Sequence, residues 1–271
     1  MRRLIYTAVF GGYDRVYSPL CPDAGADYVI VTDDPDTRVP GWRTLYADGS
    51  GFPTAKAANL YHRALIHRVL TGYDVSLYVD GNVRLIGDTR SLFRAFEASG
   101  AALSAHRHHR RSTVAEEVET VIAMSLVADP SAARREYDDY IADGFPDNLG
   151  LMENGVILKN HRHPELDAAM ELWWRQFSVY LTRDQLSLPY VLWKTGLSVD
   201  VIPGTFLTAN PLFAHYPHLA DASHPAWLIH LNAKSHESAL NDIAFRVLRR
   251  MNEGWGRMRG AWAPLGPGHR L

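Results

Sequence analysis

The apolar run Val75-Ser76-Leu77-Tyr78-Val79 leads directly into Asp80-Gly81-Asn82. An acidic residue, a small residue and a second oxygen donor thus stand at the end of a predicted inner strand. Hard divalent cations prefer oxygen ligands, so such a strand end can hold one against a diphosphate. Asn82 offers only a neutral amide oxygen, a weaker ligand than a carboxylate. Taken alone the triplet is more often a turn, because Asp, Gly and Asn lead the turn-forming residues.

Further residues of this kind stand at other predicted strand ends. Phe10-Gly11-Gly12-Tyr13 closes the run Leu4 to Phe10; its glycines let the backbone approach a ligand, and Tyr13 could lie against a base. A simple strand-to-loop turn is the alternative. Thr32-Asp33-Asp34 closes the run 28–32, where Asp33 could accept hydrogen bonds from a base or ribose, or serve only an Asp-Pro turn. His106-Arg107-His108-His109-Arg110-Arg111 is the densest cationic stretch. Its adjacent histidines lack the i, i+4 spacing of a helical zinc site, which favours an anion-facing or solvated loop.

The elements that must position these groups follow from periodicity. Residues 4–10, 28–32, 75–79 and 101–105 read as short buried strands. Ala57, Leu60, Tyr61, Ala64 and Leu65 recur at helical spacing, with Thr54 as N-cap and Gly72 as stop, and a second helix is expected at 89–98. Residues 114–142 are helix-rich, 155–158 a late strand and 164–178 a helix. Pro189 suits the first turn of a helix starting near Ser187, which leaves Asp184 just ahead of it. Trp227-Leu228-Ile229-His230 reads as a strand, 238–252 as a helix, and the Gly/Pro-rich end from Trp262 as loose. Strand and helix alternate, which predicts a mixed, mainly parallel α/β sheet flanked by helices, with ligands outside the carboxyl ends of the strands. The loops after residues 10, 32, 79 and 105 are then neighbours. One domain over 1–271 is expected.

Four segments together resemble the glycosyltransferase-like family that includes plant mucilage-related proteins. They are Tyr6 to Asp14, Ser76 to Val83, Glu153-Asn154-Gly155-Val156-Ile157-Leu158 and Thr182-Arg183-Asp184-Gln185-Leu186-Ser187. The resemblance spans roughly residues 4–195. It implies a GT-A-like fold and transfer of a hexose or pentose from a nucleoside diphosphate sugar to a hydroxyl acceptor, and a uridine or guanosine diphosphate is expected to bind beside residues 10–13, 32–34 and 80–82. Asp80 and Asn82 then match the Asp-X-Asp position that meets metal, ribose and diphosphate, with Gly81 between them and Mn²⁺ or Mg²⁺ as the cofactor. Asn82 departs from that pattern, so Lys56 or a nearby arginine could neutralise the phosphates instead. Residues 10–13 would hold the nucleotide. Asp184-Gln185 resembles the acidic pair placed beneath the sugar, where a carboxylate acts as base or steadies the anomeric centre; the alternative is a helix cap. Glu153 and Asn154, just before a strand, could face the acceptor or be loop hydrogen-bonders. His230 and Lys234 loosely resemble a segment that touches metal and diphosphate, or else lie in a solvated loop.

Composition narrows the classes. A formal net charge of -2 gives no global attraction for nucleic acid, and a phosphate loop of the nucleotidyltransferase type, Gly-rich with a lysine, is missing near the N-terminus. Nucleotidyltransferase and non-catalytic carbohydrate binding remain the rival readings on the same fold. One cysteine, Cys21, excludes an internal disulfide or a cysteine zinc cage and fits a reducing cytoplasm. No apolar run approaches the ~20 residues of a transmembrane helix, so any membrane contact is expected to be peripheral.

Overall fold

The computed structural model describes residues 1–219 and 224–259, with side chains to 254. The expected loose end from Trp262 lies outside the described residues. A central sheet of seven strands runs in the order β3-β2-β1-β4-β7-β6-β8. Its members are β1 (Arg3–Val9), β2 (Ala26–Thr32), β3 (Arg43–Tyr46), β4 (Val75–Val79), β6 (Leu103–Arg107), β7 (Met152–Asn160) and β8 (Val199–Ile202). β5 (Val83–Leu85) and β9 (Phe213–His215) form a small antiparallel ribbon. Only β7 runs against its neighbours β4 and β6; the other pairings in the main sheet are parallel. The sheet is therefore mixed and mainly parallel, as the alternation of elements predicts.

Inner strands bury both faces, which is why β1, β2 and β4 read as continuous apolar runs rather than alternating ones. One face carries Tyr6, Ala8, Phe10, Val29 and Val31 against α1 (Ala55–Val69), α5 (Leu166–Tyr180) and α6 (Asp184–Thr195), with α3 (Val114–Ala123) and α4 (Pro130–Ala142) beyond. The other packs Ile5, Leu77 and Val79 against Phe93 and Phe96 of α2 (Arg90–Ser99) and against the ribbon through Val83, Leu85 and Phe213. The last two helices are α7 (Ala226–Ser235) and α8 (Ala239–Arg259). Among the described residues no helix is long and apolar enough to cross a membrane.

Three sequence expectations change. Residues 227–230, expected as a strand, lie in α7 behind Pro225, whose fixed φ of -64° opens the helix. α6 begins at Asp184 rather than near Ser187, so Asp184 is the first helical residue and Pro189 lies inside the helix. β7 starts at Met152, which puts Glu153 and Asn154 within the strand rather than ahead of it.

Candidate active site

The carboxyl ends of β1, β2, β4 and β6 share one edge, since these strands point the same way. Gly11 and Gly12 turn the chain there with φ of 66° and 63°, in the left-handed region that glycine tolerates. Both oxygens of Asp33 accept from the Gly11 amide, at 3.1 and 3.0 Å. Asp33 thus ties the second strand end to the first loop. Gly81 is required by close approach: a Cβ there would sit 2.7 Å from Val9 Cγ2 and 2.8 Å from Asp14 Cβ.

At the centre lies a cation that bridges two acids. Arg63, from the middle of α1, donates through Nη2 to Asp80 Oδ1 at 2.8 Å and through Nη1 to Asp184 Oδ2 at 2.5 Å. Tyr78 donates to the same Asp80 oxygen at 2.7 Å, and its ring lies 4.6 Å under the guanidinium. Asn154 donates to Asp184 Oδ2 at 2.9 Å. Two residues beyond Arg63 the helix breaks, with Leu65 at φ -106° and ψ 24°. The Arg63 carbonyl accepts from Tyr6 Oη and Lys159 Nζ, and the Ala64 carbonyl from Lys159 Nζ. Core strands β1 and β7 therefore fix where Arg63 stands.

Charge follows from this packing. Burial alone would raise the Asp184 carboxyl, but the positive charge of Arg63, with Arg183, the Asn154 hydrogen bond and Lys56, outweighs it and holds the group below the usual carboxylate range. Burial lifts the Tyr78 phenol well above its ordinary value. Arg63 Nε, Arg183 Nε, Asn82 Oδ1 and Asn154 Oδ1 are buried with no hydrogen-bond partner in the protein. Such atoms are rare in cores, and these four are free to meet a ligand.

Behind Gly81 opens a cavity of about 500 Å³ whose walls include Asp14, Thr32, Arg15, Arg38, His230 and Lys234. Asp14 joins it to the Asp80-Gly81 turn. Burial raises the Asp14 carboxyl, while the His218 hydrogen bond at 2.8 Å opposes that rise. Burial works against the His218 imidazolium, but the Asp14 partner outweighs it, so His218 is raised and charges more readily.

Several residues read from the sequence take other places. Phe10 is 2% exposed and stacks on His62 in the core, away from solvent. Tyr13 is exposed, its ring 4.5 Å from His218. Lys56 donates to the Thr182 carbonyl rather than standing among phosphates, and burial of its ammonium pulls it down to about 8. The nearby arginine that meets the acids is Arg63. Gln185 donates to the Met152 carbonyl at 3.3 Å. Glu153 is buried, accepting from His109 at 2.7 Å and Thr205 at 2.6 Å, so both its oxygens are engaged. Lys234 and His230 share the cavity wall, with Lys234 also 3.1 Å from Glu237.

Of the expected metal set, Asp80 and Asn82 follow β4 and His230 lies on the cavity wall. Asn82 turns its amide nitrogen to the Tyr216 carbonyl at 2.7 Å, because the β5–β9 ribbon places that carbonyl beside it, and Asp80 Oδ1 already takes two donors. Among the described residues no group of three or more His, Cys, Asp or Glu could hold a metal ion. Asp80 and the unpartnered Asn82 Oδ1 are the groups at this strand end that would hold the expected cation.

Arg63, Tyr78, Asp14 and His218 were not singled out from the sequence. Arg63 left one signal, a cation next to the buried apolar positions Leu60, Ala64 and Leu65 of α1.

The chain belongs to the TOD1/MUCI70 glycosyltransferase-like domain family, whose model matches residues 25–210. A curated relative, "Probable hexosyltransferase MUCI70" of Arabidopsis thaliana, is 22% identical over 230 residues, 75% of this chain and 39% of that protein. The chain thus spans about two fifths of the length of this relative. Solved structures with a similar course include mouse xyloside xylosyltransferase 1, at 13% identity and a TM-score of 0.42, over 74% of this chain and 84% of that one. The galactosyltransferase LgtC, in complex with donor and acceptor sugar analogs, gives 14% identity and a TM-score of 0.42 over 73% and 72%. The mixed sheet flanked by helices is the GT-A-like arrangement that the motifs imply.

Proposed function

We propose that the chain transfers a sugar from a nucleoside diphosphate sugar to a hydroxyl acceptor. The observation that carries this reading is the Arg63 bridge, which gathers Asp80, Asn154 and Asp184 at the strand ends, while Asp14, packed on Gly81, lines a separate cation-rich cavity. The cavity suits a nucleoside diphosphate: Arg15, Arg38 and Lys234 face its negative charge, and Asp14 and Thr32 offer oxygens to ribose or base. The sugar would then lie against Asp80, Arg63 and Asp184, groups that accept from and donate to hydroxyls.

In the reaction the bond between the anomeric carbon and the diphosphate oxygen breaks, and the leaving diphosphate keeps its electron pair. The acceptor oxygen bonds that carbon and gives its proton to the leaving diphosphate. Asp184 is ionised across the physiological range because its carboxyl is held low, so it opposes the positive charge that grows on the sugar ring. The hexosyltransferase description of the plant relative makes a hexose the first donor to try.

Two measurements test the reading. A thermal-shift series of nucleoside diphosphates and their hexoses, with and without Mn²⁺, should show a native-state ligand as a raised melting temperature. Asp184→Asn should then lower transfer at least about tenfold with nucleotide affinity unchanged, because an interaction that grows toward the transition state is lost. A sugar nucleotide that binds and is never turned over would make the chain a binding protein. No shift with any nucleotide would remove the donor site.

A further inference from the structure

Helix α8 carries an apolar stripe that the fold leaves uncovered. Leu240, Ile243, Val247 and Met251 stand three or four residues apart and so share one face. They are 79%, 54%, 52% and 57% exposed. Leu248 borders the stripe at 37%. The opposite side of the helix does the packing, through Phe245 against Leu228 and Leu231 of α7. The stripe runs about 16 Å along the helix at the usual rise of 1.5 Å per residue. Scattered exposed apolar residues are ordinary, but a continuous row of four large ones marks a contact surface.

The charges around it say which contact. The acids of this stretch are neutralised within the helix, Asp242 by Arg246 at 2.5 Å and Glu253 by Arg249 at 3.4 Å. Arg250 is exposed beside the stripe and has no acidic partner among the described residues. The whole chain carries -2, so this helix is a cationic element on an acidic protein. A second copy docked stripe to stripe would offer Arg250 no unpaired acid of this helix, since Asp242 and Glu253 are already engaged, whereas anionic headgroups would pair with it. An apolar row flanked by arginine on a helix too polar to span a bilayer is the pattern of a helix that lies in the interface plane.

We infer that α8 docks this protein on an anionic lipid surface through Leu240, Ile243, Val247 and Met251, with Arg250 at the headgroups. The inference does not depend on the transfer reaction.

The test is co-sedimentation of the full chain with vesicles of phosphatidylcholine alone and of phosphatidylcholine with one quarter phosphatidylglycerol. Wild-type protein should pellet with the anionic vesicles and remain largely in solution with the neutral ones. Added salt should weaken binding, since headgroup attraction is screened. The double variant Ile243→Ser/Val247→Ser should lower partitioning at least about tenfold, because it deletes several buried methylene equivalents. Arg250→Glu should lower it on anionic vesicles. Melting temperature controls the fold, and these exposed positions should leave it unchanged. Wild-type protein that stays in the supernatant overturns the assignment. So does equal binding to neutral vesicles, full binding by the double variant, or a dimer in sedimentation velocity that the double variant dissolves.

Discussion

Replacing Arg63 by methionine keeps much of the side-chain length and removes the charge between Asp80 and Asp184. The three side chains are 12%, 28% and 15% exposed, so the two carboxylates are left facing each other with limited access to water. Removing one partner of a buried ion pair costs about 3–5 kcal/mol, and the greater exposure of Asp80 argues for the lower end, about 3 kcal/mol. At roughly 2–4 °C per kcal/mol for a chain of this size, the melting temperature should fall by about 6–12 °C. The pH dependence supplies a sharper readout. In the wild type the depressed Asp184 carboxyl contributes stability above the unfolded carboxylate value of 3.8, and that stability is lost as pH falls through the folded value. Without Arg63 the largest charge opposing burial is gone, so the folded carboxyl should rise from its wild-type value. The gap between folded and unfolded values then shrinks, so the loss of stability below pH 3.8 should be shallower than in the wild type. Guanidinium denaturation at a series of pH values from 2 to 8 measures both effects. Arg63→Lys should recover part of the stability and restore the slope. A methionine variant that melts within 2 °C of wild type, with the same slope, would refute the bridge as the centre of this site.

Asn82→Asp should destabilise the fold by about 1–3 kcal/mol in denaturant titration, because a carboxylate oxygen would replace the amide nitrogen facing the Tyr216 carbonyl at 2.7 Å in a position 3% exposed. Tighter Mn²⁺ binding by a variant of unchanged stability would show that a cation can be held there. Gly155→Ala places a methyl 2.3 Å from Phe206 Cζ and 2.8 Å from Asp80 Oδ2, so it should cost about 1–3 kcal/mol and weaken binding of the sugar nucleotide more than of the bare diphosphate. Equal affinities would separate Gly155 from the sugar side of the site. Glu136 is buried, accepts from Tyr140 and Thr182, and is pushed up to about 7 by burial. Its raised folded value means wild-type stability falls as pH climbs from about 4.5 to about 7, and Glu136→Gln should flatten that fall in thermal melts. A variant with the wild-type pH profile would assign the fall to another group.

The sequence by itself determined the layers and the strand ends. Residues 4–10, 28–32 and 75–79 were legible because inner parallel strands are apolar on both faces and stop at Gly or Asp, and Thr54 was legible as a cap because its hydroxyl receives the Ala57 amide three residues on. Asp80, Asn154 and Asp184 could be nominated from their order along the chain. Short or weakly patterned segments were not legible: Val83–Leu85 and Phe213–His215 are three residues each, and the apolar tetrad 227–230 suits a strand or a buried helix until Pro225 and α8 decide for the helix. Only the tertiary structure decided what each polar group meets. Arg63 reaches Asp80 across 17 residues and Asp184 across 121, and Asn82 finds the Tyr216 carbonyl across 134. Caps and turns are closed by neighbours in the chain and leave a local pattern, whereas a salt bridge or a buried amide is closed by whichever element the sheet order brings alongside. That is why the sequence led to Lys56 as a phosphate partner, while packing turned it to a carbonyl before α6, held Asn82 by its amide nitrogen on a carbonyl beyond the ribbon, and set Arg63 between the acids.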